Sequence, residues 1–284
     1  MLRVAHVGLQ VADLEASVAF AERILGLRVS ERTDEVAYLT CNERHHELSL
    51  HAGAAPALDH IAFEVDRAHF AKIESRVDVI ERGSVGVADA LRFLAPGGLP
   101  IEVVHGMAHD QPRLYDSVAP RPLKFEHVTV KSTRKDELEA VLIDVLGLRL
   151  SDRAEDAVSW LRASDEHHGV SVIGADVDAL HHYAWQYEGF GTFARIGDHL
   201  LQHGRTFLWG PGHHGIGDNY FCYFRDGDGA VVEYSAGIQR IEDEAAYVPR
   251  VWPDEPLTVN RWGNPAPPAE FVDAFTPVAV PAIA

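Results

Sequence analysis

Two stretches of the chain, HVGLQVADLEASVAFAERILGLRVSER at residues 6–32 and HVTVKSTRKDELEAVLIDVLGLRLSDR at residues 127–153, align without a gap at a shift of 121. Each opens on an alternating run that predicts a short strand and crosses a polar turn into an amphipathic helix. Each then leaves through Leu-Gly-Leu-Arg into another strand. The correspondence continues downstream. RHHELSLHAG (44–53) matches EHHGVSVIGA (166–175), LDHIAFEV (58–65) matches LHHYAWQY (180–187), and LPIEVVHG (99–106) matches AVVEYSAG (230–237). A repeat on this scale predicts two similar domains, at residues 1–115 and 122–240. The boundary falls in GMAHDQPRLYDSVAPRPLK (106–124), which is rich in proline and lacks clear periodicity. Residues 241–284 lose the pattern and form a proline-rich tail, expected to pack on or near the functional site.

Each half divides again. The order strand–helix–strand–strand–strand starts near residues 3 and 58, and again near 124 and 179. This predicts an α+β fold of four βαβββ modules paired into two domains. One such module cannot bury both faces of its sheet, so paired modules must close around a shared interior. Side chains from the first strand of each module, and from the last strand of the second, can then point into one cup.

The totals narrow the function. A net charge of −18 makes a nucleic acid or an anionic membrane surface an unsuitable partner. Cys41 and Cys222 are far apart and form no CxxC, so neither a disulfide framework nor a structural zinc site is indicated. The first residues read as a strand rather than a secretory leader, and no apolar run has the length of a membrane span, so a cytoplasmic location is expected.

In the C-terminal half the cup collects His127, His182 and Glu233. Two neutral imidazoles and a carboxylate suit a divalent first-row metal and, as a facial set, leave three coordination positions open. Ferrous iron with one carboxylate carries a net charge of +1. A monoanionic catecholate would neutralise it across two of those positions and leave the third for dioxygen.

The layout resembles the type I extradiol ring-cleaving dioxygenases of the vicinal oxygen chelate superfamily, along essentially the whole chain. The signature of that family runs from a histidine across a loop to a tyrosine, an acidic residue, a glycine and the metal-binding glutamate. Here these are His214, Tyr223, Asp226, Gly229 and Glu233, with Cys222 and Gly227 departing from the usual aliphatic residue and proline. The resemblance implies an enzyme that binds Fe(II), with Mn(II) as the alternative, through His127, His182 and Glu233, and uses O2 as co-substrate on a small catecholic compound. It prefers His182 to His181, which with His213 reads as an outward neighbour. It also implies that His214 handles protons, that Tyr223 is a hydroxyl donor, and that His168 faces the bound oxygen, with strand alternation choosing His168 over His167. A homo-oligomer is expected on the same ground.

The N-terminal half retains His6, His46, His60 and Glu102 but has Gly83 at the place of His214 and Arg92 at the place of Tyr223. It is expected to be non-catalytic. The tail and the WGPGHHG loop are most similar to the homoprotocatechuate branch, where an arginine that grips the substrate carboxylate stands at the position of Trp209. Its absence, with Trp185, Phe190, Phe193 and Phe207 nearby in sequence, favours a neutral aromatic side group. Trp185, Trp209 and Phe193 are the candidate substrate-binding residues, and Arg205, Arg225 or Arg250 could instead restore a carboxylate site. Two other readings are a non-oxidative metalloenzyme of the glyoxalase or epimerase kind, which has no use for His168, His214 and Tyr223 together, and a ligand-sequestering resistance protein, which needs no metal triad.

Overall fold

A computed structural model of the chain describes residues 1–253, 255–263 and 265–279. Positions 254, 264 and 280–284 of the tail lie outside the described residues. The first half comprises β1 (Leu2–Val11), α1 (Leu14–Phe20), β2 (Arg28–Arg32), β3 (Val36–Thr40), β4 (Leu48–Ala52), β5 (Ala57–Val65), α2 (Arg67–Glu74), β6 (Glu81–Arg82), β7 (Asp89–Ala95) and β8 (Leu99–His105). The second comprises β9 (Lys124–Ser132), α3 (Lys135–Asp144), β10 (Arg149–Ala154), β11 (Val158–Arg162), β12 (Val170–Gly174), β13 (Ala179–Tyr187), α4 (Gly191–Gln202), β14 (Trp209–His213), β15 (Tyr220–Arg225) and β16 (Val231–Ala236). The tail adds β17 (Arg250–Trp252), α5 (Pro256–Val259), α6 (Ala269–Val272) and β18 (Thr276–Pro277).

The strand order of the first sheet is β2-β3-β4-β1-β5-β8-β7-β6. The second repeats it as β10-β11-β12-β9-β13-β16-β15-β14, with β17 added beyond β10 and β18 beside β13. In both, the two modules join through the antiparallel pairing of their first strands, β1 with β5 and β9 with β13. Each of these four strands is also paired in parallel with the last strand of its own module. The sheet is thus continuous across the module boundary, and its middle strands can aim side chains at one point. The fold is the α+β arrangement of four modules that the repeat predicts. Among the described residues no helix is long and apolar enough to cross a membrane.

Local chemistry explains the repeated helix. Asp13 caps α1 by accepting from the Ala16 amide at 3.0 Å. A π-helical turn at Ala21–Leu25 continues α1, and the glycine of Leu-Gly-Leu-Arg ends that turn: Gly26 sits at φ 72°, and a Cβ there would lie 2.8 Å from the Pro120 carbonyl oxygen. A left-handed residue pressed against another chain segment leaves room only for glycine.

The two halves share one hydrophobic core, to which Leu25, Phe63 and Ile101 contribute from the first and Trp185, Phe224 and Tyr234 from the second. Polar contacts fix their alignment. The Tyr234 hydroxyl donates to the Ile24 carbonyl at 3.0 Å, and Ser17 Oγ donates to Asp228 Oδ2 at 2.6 Å. Tyr234 is 1% exposed. Removing its hydroxyl strands a buried carbonyl, so Tyr234→Phe should cost about 1–3 kcal/mol in urea unfolding. An unchanged midpoint would show that this contact does not join the halves.

Candidate metal centre

Five neighbouring strands of the second sheet place one row of residues on a common face. His127 on β9 stands opposite Ala184 on β13, and Ala184 stands opposite Glu233 on β16. Glu233 stands opposite Tyr223 on β15, and Tyr223 opposite Trp209 on β14. Directly opposed residues share a face, and so do residues two apart on one strand. His182, two before Ala184, therefore joins the row. The small side chain at Ala184 leaves the space that the His182 imidazole reaches across.

The result is a compact donor set. His127 Nε2 lies 3.0 Å and His182 Nε2 3.2 Å from Glu233 Oε2. Atoms on adjacent corners of an octahedron with bonds of about 2.1 Å stand about 3 Å apart, so each histidine nitrogen lies at the separation from Glu233 expected of neighbouring ligands on one divalent ion. Among the described residues His127, His182 and Glu233 form a cluster able to hold a metal, and all three are buried. Each donor has support behind it. His127 Nδ1 contacts Glu126 Oε2 at 3.0 Å, His182 Nδ1 contacts His181 Nδ1 at 2.7 Å, and Asn219 Nδ2 donates to Glu233 Oε1 at 3.2 Å. Burial alone would raise the pKa of Glu233, but His127, His182 and His214 around it hold it well below the usual carboxylate range.

Beside this set stand the polar groups of the loop. The Tyr223 hydroxyl is 3.0 Å from His214 Nε2, and His214 Nε2 is 3.7 Å from Glu233 Oε1. Burial, and then Glu233, push the Tyr223 hydroxyl well above its ordinary pKa, so it stays protonated. His168 lies with its ring centre 4.5 Å from that of His127, and burial drives its pKa well below that of a free imidazole. Asp226 and Gly229 serve the turn before β16: Asp226 Oδ1 accepts from the Asp228 and Ala230 amides at 3.0 and 2.9 Å, and Gly229 has φ 90°.

A cavity of about 280 Å³ opens over these groups. Trp160, Ile173, Ile216, Val259 and Phe271 line it, together with His168, Trp209, His214 and Tyr223. The tail therefore forms part of the wall. Trp209 stacks 5.5 Å from Tyr223 at an interplanar angle of 9° and donates from Nε1 to the Pro265 carbonyl at 3.0 Å.

Two of the candidate substrate-binding residues lie elsewhere. Trp185 is three residues past His182, so it points through the sheet into the core, where it is fully buried against Phe125. Phe193 is on the core face of α4 and 2% exposed. None of the three arginines lines the cavity. Arg205 and Arg225 bind backbone carbonyls, and Arg250 lies exposed on β17. The cation in the wall is Lys131, which donates to the Val272 carbonyl at 2.9 Å. His181 is turned away from the donor set yet is 4% exposed rather than outward, because the tail covers it. Glu126, Asn219, Trp160 and Phe271 escaped the sequence reading. The Glu-His pair at 126–127 was the one available signal.

The first half repeats the row as His6, Ala62, Glu102, Arg92 and Glu81. His6, His60 and Glu102 are clustered and buried, and two differences set them apart from the second set. Arg92 Nε donates to Glu102 Oε1 at 3.0 Å, so the carboxylate already has a cation. Ala5 stands where Glu126 backs His127, and His6 Nδ1 has no partner.

Residues 3–103 and 125–234 match the family model described as the Glyoxalase/Bleomycin resistance protein/Dioxygenase superfamily. A manganese-dependent 2,3-dihydroxybiphenyl 1,2-dioxygenase of Geobacillus genomosp. 3 is 28% identical over 266 residues, covering 82% of this chain and 84% of that one. The crystal structure of a Mn(II)-bound glyoxalase from Novosphingobium aromaticivorans is similar at a TM-score of 0.87 and 26% identity, over 99% of this chain and 97% of that one. The homoprotocatechuate 2,3-dioxygenase of Brevibacterium fuscum, in its anaerobic complex with 3,4-dihydroxyphenylacetate, is similar at a TM-score of 0.84 and 25% identity, over 97% and 92%.

The donor geometry yields a direct expectation. Glu233→Ala should lose the bound ion, as read by elemental analysis after reconstitution with Mn(II), while circular dichroism stays at the parent signal. Full occupancy in that variant would place the metal elsewhere.

Proposed function

We propose that this chain, which belongs to the Glyoxalase/Bleomycin resistance protein/Dioxygenase superfamily, is a metal-dependent extradiol dioxygenase. It opens a catechol ring next to the two hydroxyl groups and places both atoms of O2 in the product. The observation that carries this reading is the Tyr223–His214 pair, 3.0 Å apart, set beside a two-histidine, one-carboxylate donor set inside an apolar cavity. Three relatives of similar length, 23–28% identical, are described as a 2,3-dihydroxybiphenyl 1,2-dioxygenase and two metapyrocatechases.

His127, His182 and Glu233 would hold Fe(II) or Mn(II), which would supply a Lewis-acidic, redox-active centre for the catechol and dioxygen. The chain does the rest. The Tyr223 oxygen takes the proton of the incoming catechol hydroxyl as its own O–H proton passes to His214 Nε2, so the catechol O–H breaks, an Nε2–H forms and Tyr223 stays neutral. His214 holds that proton and returns it as negative charge moves onto the opening ring. His168, kept neutral by burial, lines the same cavity beside His127 and offers it a further hydrogen-bonding ring nitrogen. Trp209 and Phe271 keep water from the reacting ring, which strengthens every one of these contacts. The wall, apolar but for the imidazoles, Tyr223 and a Lys131 whose ammonium is engaged by the Val272 carbonyl, suits a catechol whose further substituent is uncharged. A place in aromatic-compound degradation, a cytoplasmic location, a homo-oligomeric assembly and a non-catalytic N-terminal domain complete this reading.

The likeness to the Mn(II)-bound glyoxalase favours a second reading, a reaction without oxygen. That chemistry leaves the Tyr223–His214 pair without a task. Oxygen uptake by the anaerobically reconstituted protein on a panel of catechols separates the two. Equimolar uptake of O2 with a yellow ring-opened product is expected, and its absence with every catechol would sink the oxygenase reading.

Two sets of variants test the assignment of roles. His214→Phe should keep metal and catechol binding and lose about 10²–10⁴-fold in kcat, with Tyr223→Phe milder. Turnover at the parent rate in both would move the proton chemistry to other groups. The triple change His6→Ala, His60→Ala, Glu102→Ala should leave kcat near the parent value while the matching change of His127, His182 and Glu233 abolishes it. A folded N-terminal variant without activity would overturn the one-site assignment.

A further inference from the structure

Adjacent histidines occur at 45–46, 167–168, 181–182 and 213–214. In the first three pairs the two rings meet nitrogen to nitrogen: Nδ1 to Nδ1 at 2.9 Å for His45–His46, 3.1 Å for His167–His168 and 2.7 Å for His181–His182. Such a contact requires one nitrogen to carry a proton and the other a lone pair. Whatever the outer ring binds therefore decides which nitrogen of the inner ring is protonated.

For His181 the outer partner is the Phe271 carbonyl, 3.0 Å from Nε2. A carbonyl only accepts, so His181 carries its proton on Nε2 and its Nδ1 accepts from His182 Nδ1–H. His182 is left with a lone pair on Nε2, aimed at the donor set. For His167 the outer partner is Asp152, whose Oδ2 is 3.1 Å from Nε2. The carboxylate puts the His167 proton on Nε2, His167 Nδ1 accepts from His168 Nδ1–H, and His168 turns an Nε2 lone pair into the cavity. His214 needs no intermediary: its Nδ1 donates to the Val259 carbonyl at 2.5 Å, and its Nε2 is free to accept from the Tyr223 hydroxyl.

All three outer acceptors belong to the C-terminal segment or are held by it. Phe271 and Val259 lie in it. Asp152 lies on β10, but the segment clasps it with the Trp252 Nε1 donor at 2.7 Å, the Arg250 amide at 2.8 Å and the Tyr247 hydroxyl at 3.2 Å. The first half has the same carboxylate–histidine–histidine order, with His45 Nε2 3.2 Å from Glu31 Oε2, but there His46 Nε2 ends buried without a partner. In the second half the relay delivers its lone pair to the cavity over the donor set.

We infer that the C-terminal segment sets the proton positions of the site: His181 and His167 are positioning residues that, with the Val259 carbonyl, lock His182, His168 and His214 as Nδ1–H tautomers. The segment then does more than cover the cavity. It makes three imidazoles present lone pairs at once, one toward a cation and two toward protons on substrate or tyrosine. The tautomers do not depend on which reaction is catalysed. The metal arm below rests on His182 being a ligand, and loss of the ion in Glu233→Ala tests that assignment separately.

The experiment uses the full chain labelled with ¹⁵N-histidine and loaded with Zn(II), with long-range ¹H–¹⁵N spectra reporting which ring nitrogen carries each proton. His168 and His214 are expected as Nδ1–H. In Asp152→Asn the side chain can turn either its NH2 or its carbonyl to His167 Nε2, so the two rings are expected to stay complementary: His168 moves to Nε2–H where the amide donates and stays Nδ1–H where the carbonyl accepts, while His214 is unchanged. An Nε2–H tautomer of His168 in the parent, or His167 and His168 both protonated on Nδ1 or both on Nε2 in the variant, overturns the relay. If Asp152→Asn does not fold, the parent spectrum decides alone. In the second arm, His181→Ala should weaken Mn(II) binding, measured by calorimetry, about 10–100-fold. His181→Gln, which can accept from His182 and donate to the Phe271 carbonyl, should restore it. Parent affinity in His181→Ala, or equal loss in both variants, would show that His181 only fills space.

Discussion

The structure depends on the register of five strands. His127, Ala184, Glu233, Tyr223 and Trp209 form one row because β9, β13, β16, β15 and β14 pair without slipping between these positions. A slip of one residue on any of them would turn its contribution to the opposite face. The row brings two ligand candidates, a proton donor and an aromatic wall within reach of one another before any loop is considered. Strand pairing fixes these positions more tightly than loop conformation could, which suits a donor set that must match an ion to a few tenths of an ångström.

Around that row the chain invests in satisfying buried polar groups. Every member of the donor set has a partner behind it, and Glu233 is held ionised despite full burial by the histidines around it. The first half shows what happens when such support changes. The same row and the same two histidines and glutamate persist, but an arginine replaces the tyrosine and an alanine replaces the supporting glutamate. Ligand identity is thus retained while the groups that back the ligands are not.

The apolar cavity and the tail belong together. Phe271 packs on His181, Tyr223 and Trp209, with ring centres 4.9, 4.4 and 4.9 Å away. Segments far apart in the chain therefore converge on the same few imidazoles. A tail that reads in sequence as irregular and proline-rich is ordered here by what it binds, since its own elements are only two to four residues long.

The sequence by itself determined the duplicated α+β modules, the strands on which the histidines and Glu233 sit, and the difference between the halves. These follow from periodicity and spacing, which strand and helix geometry make local properties. The choice of His182 over His181 came from the family resemblance, and that of His168 over His167 from an alternation whose period is two. Alternation counted from His182 places Trp185, an odd number of residues on, in the core, and Phe193 follows the buried face of its helix. Only the tertiary structure decided what lies behind each imidazole. Asp152, Phe271 and Val259 reach the site from distant parts of the chain, and no local pattern marks a carbonyl as an acceptor for a histidine ninety residues away. The cavity wall depends likewise on how the tail packs, a choice made by long-range burial rather than by any signal within its own residues.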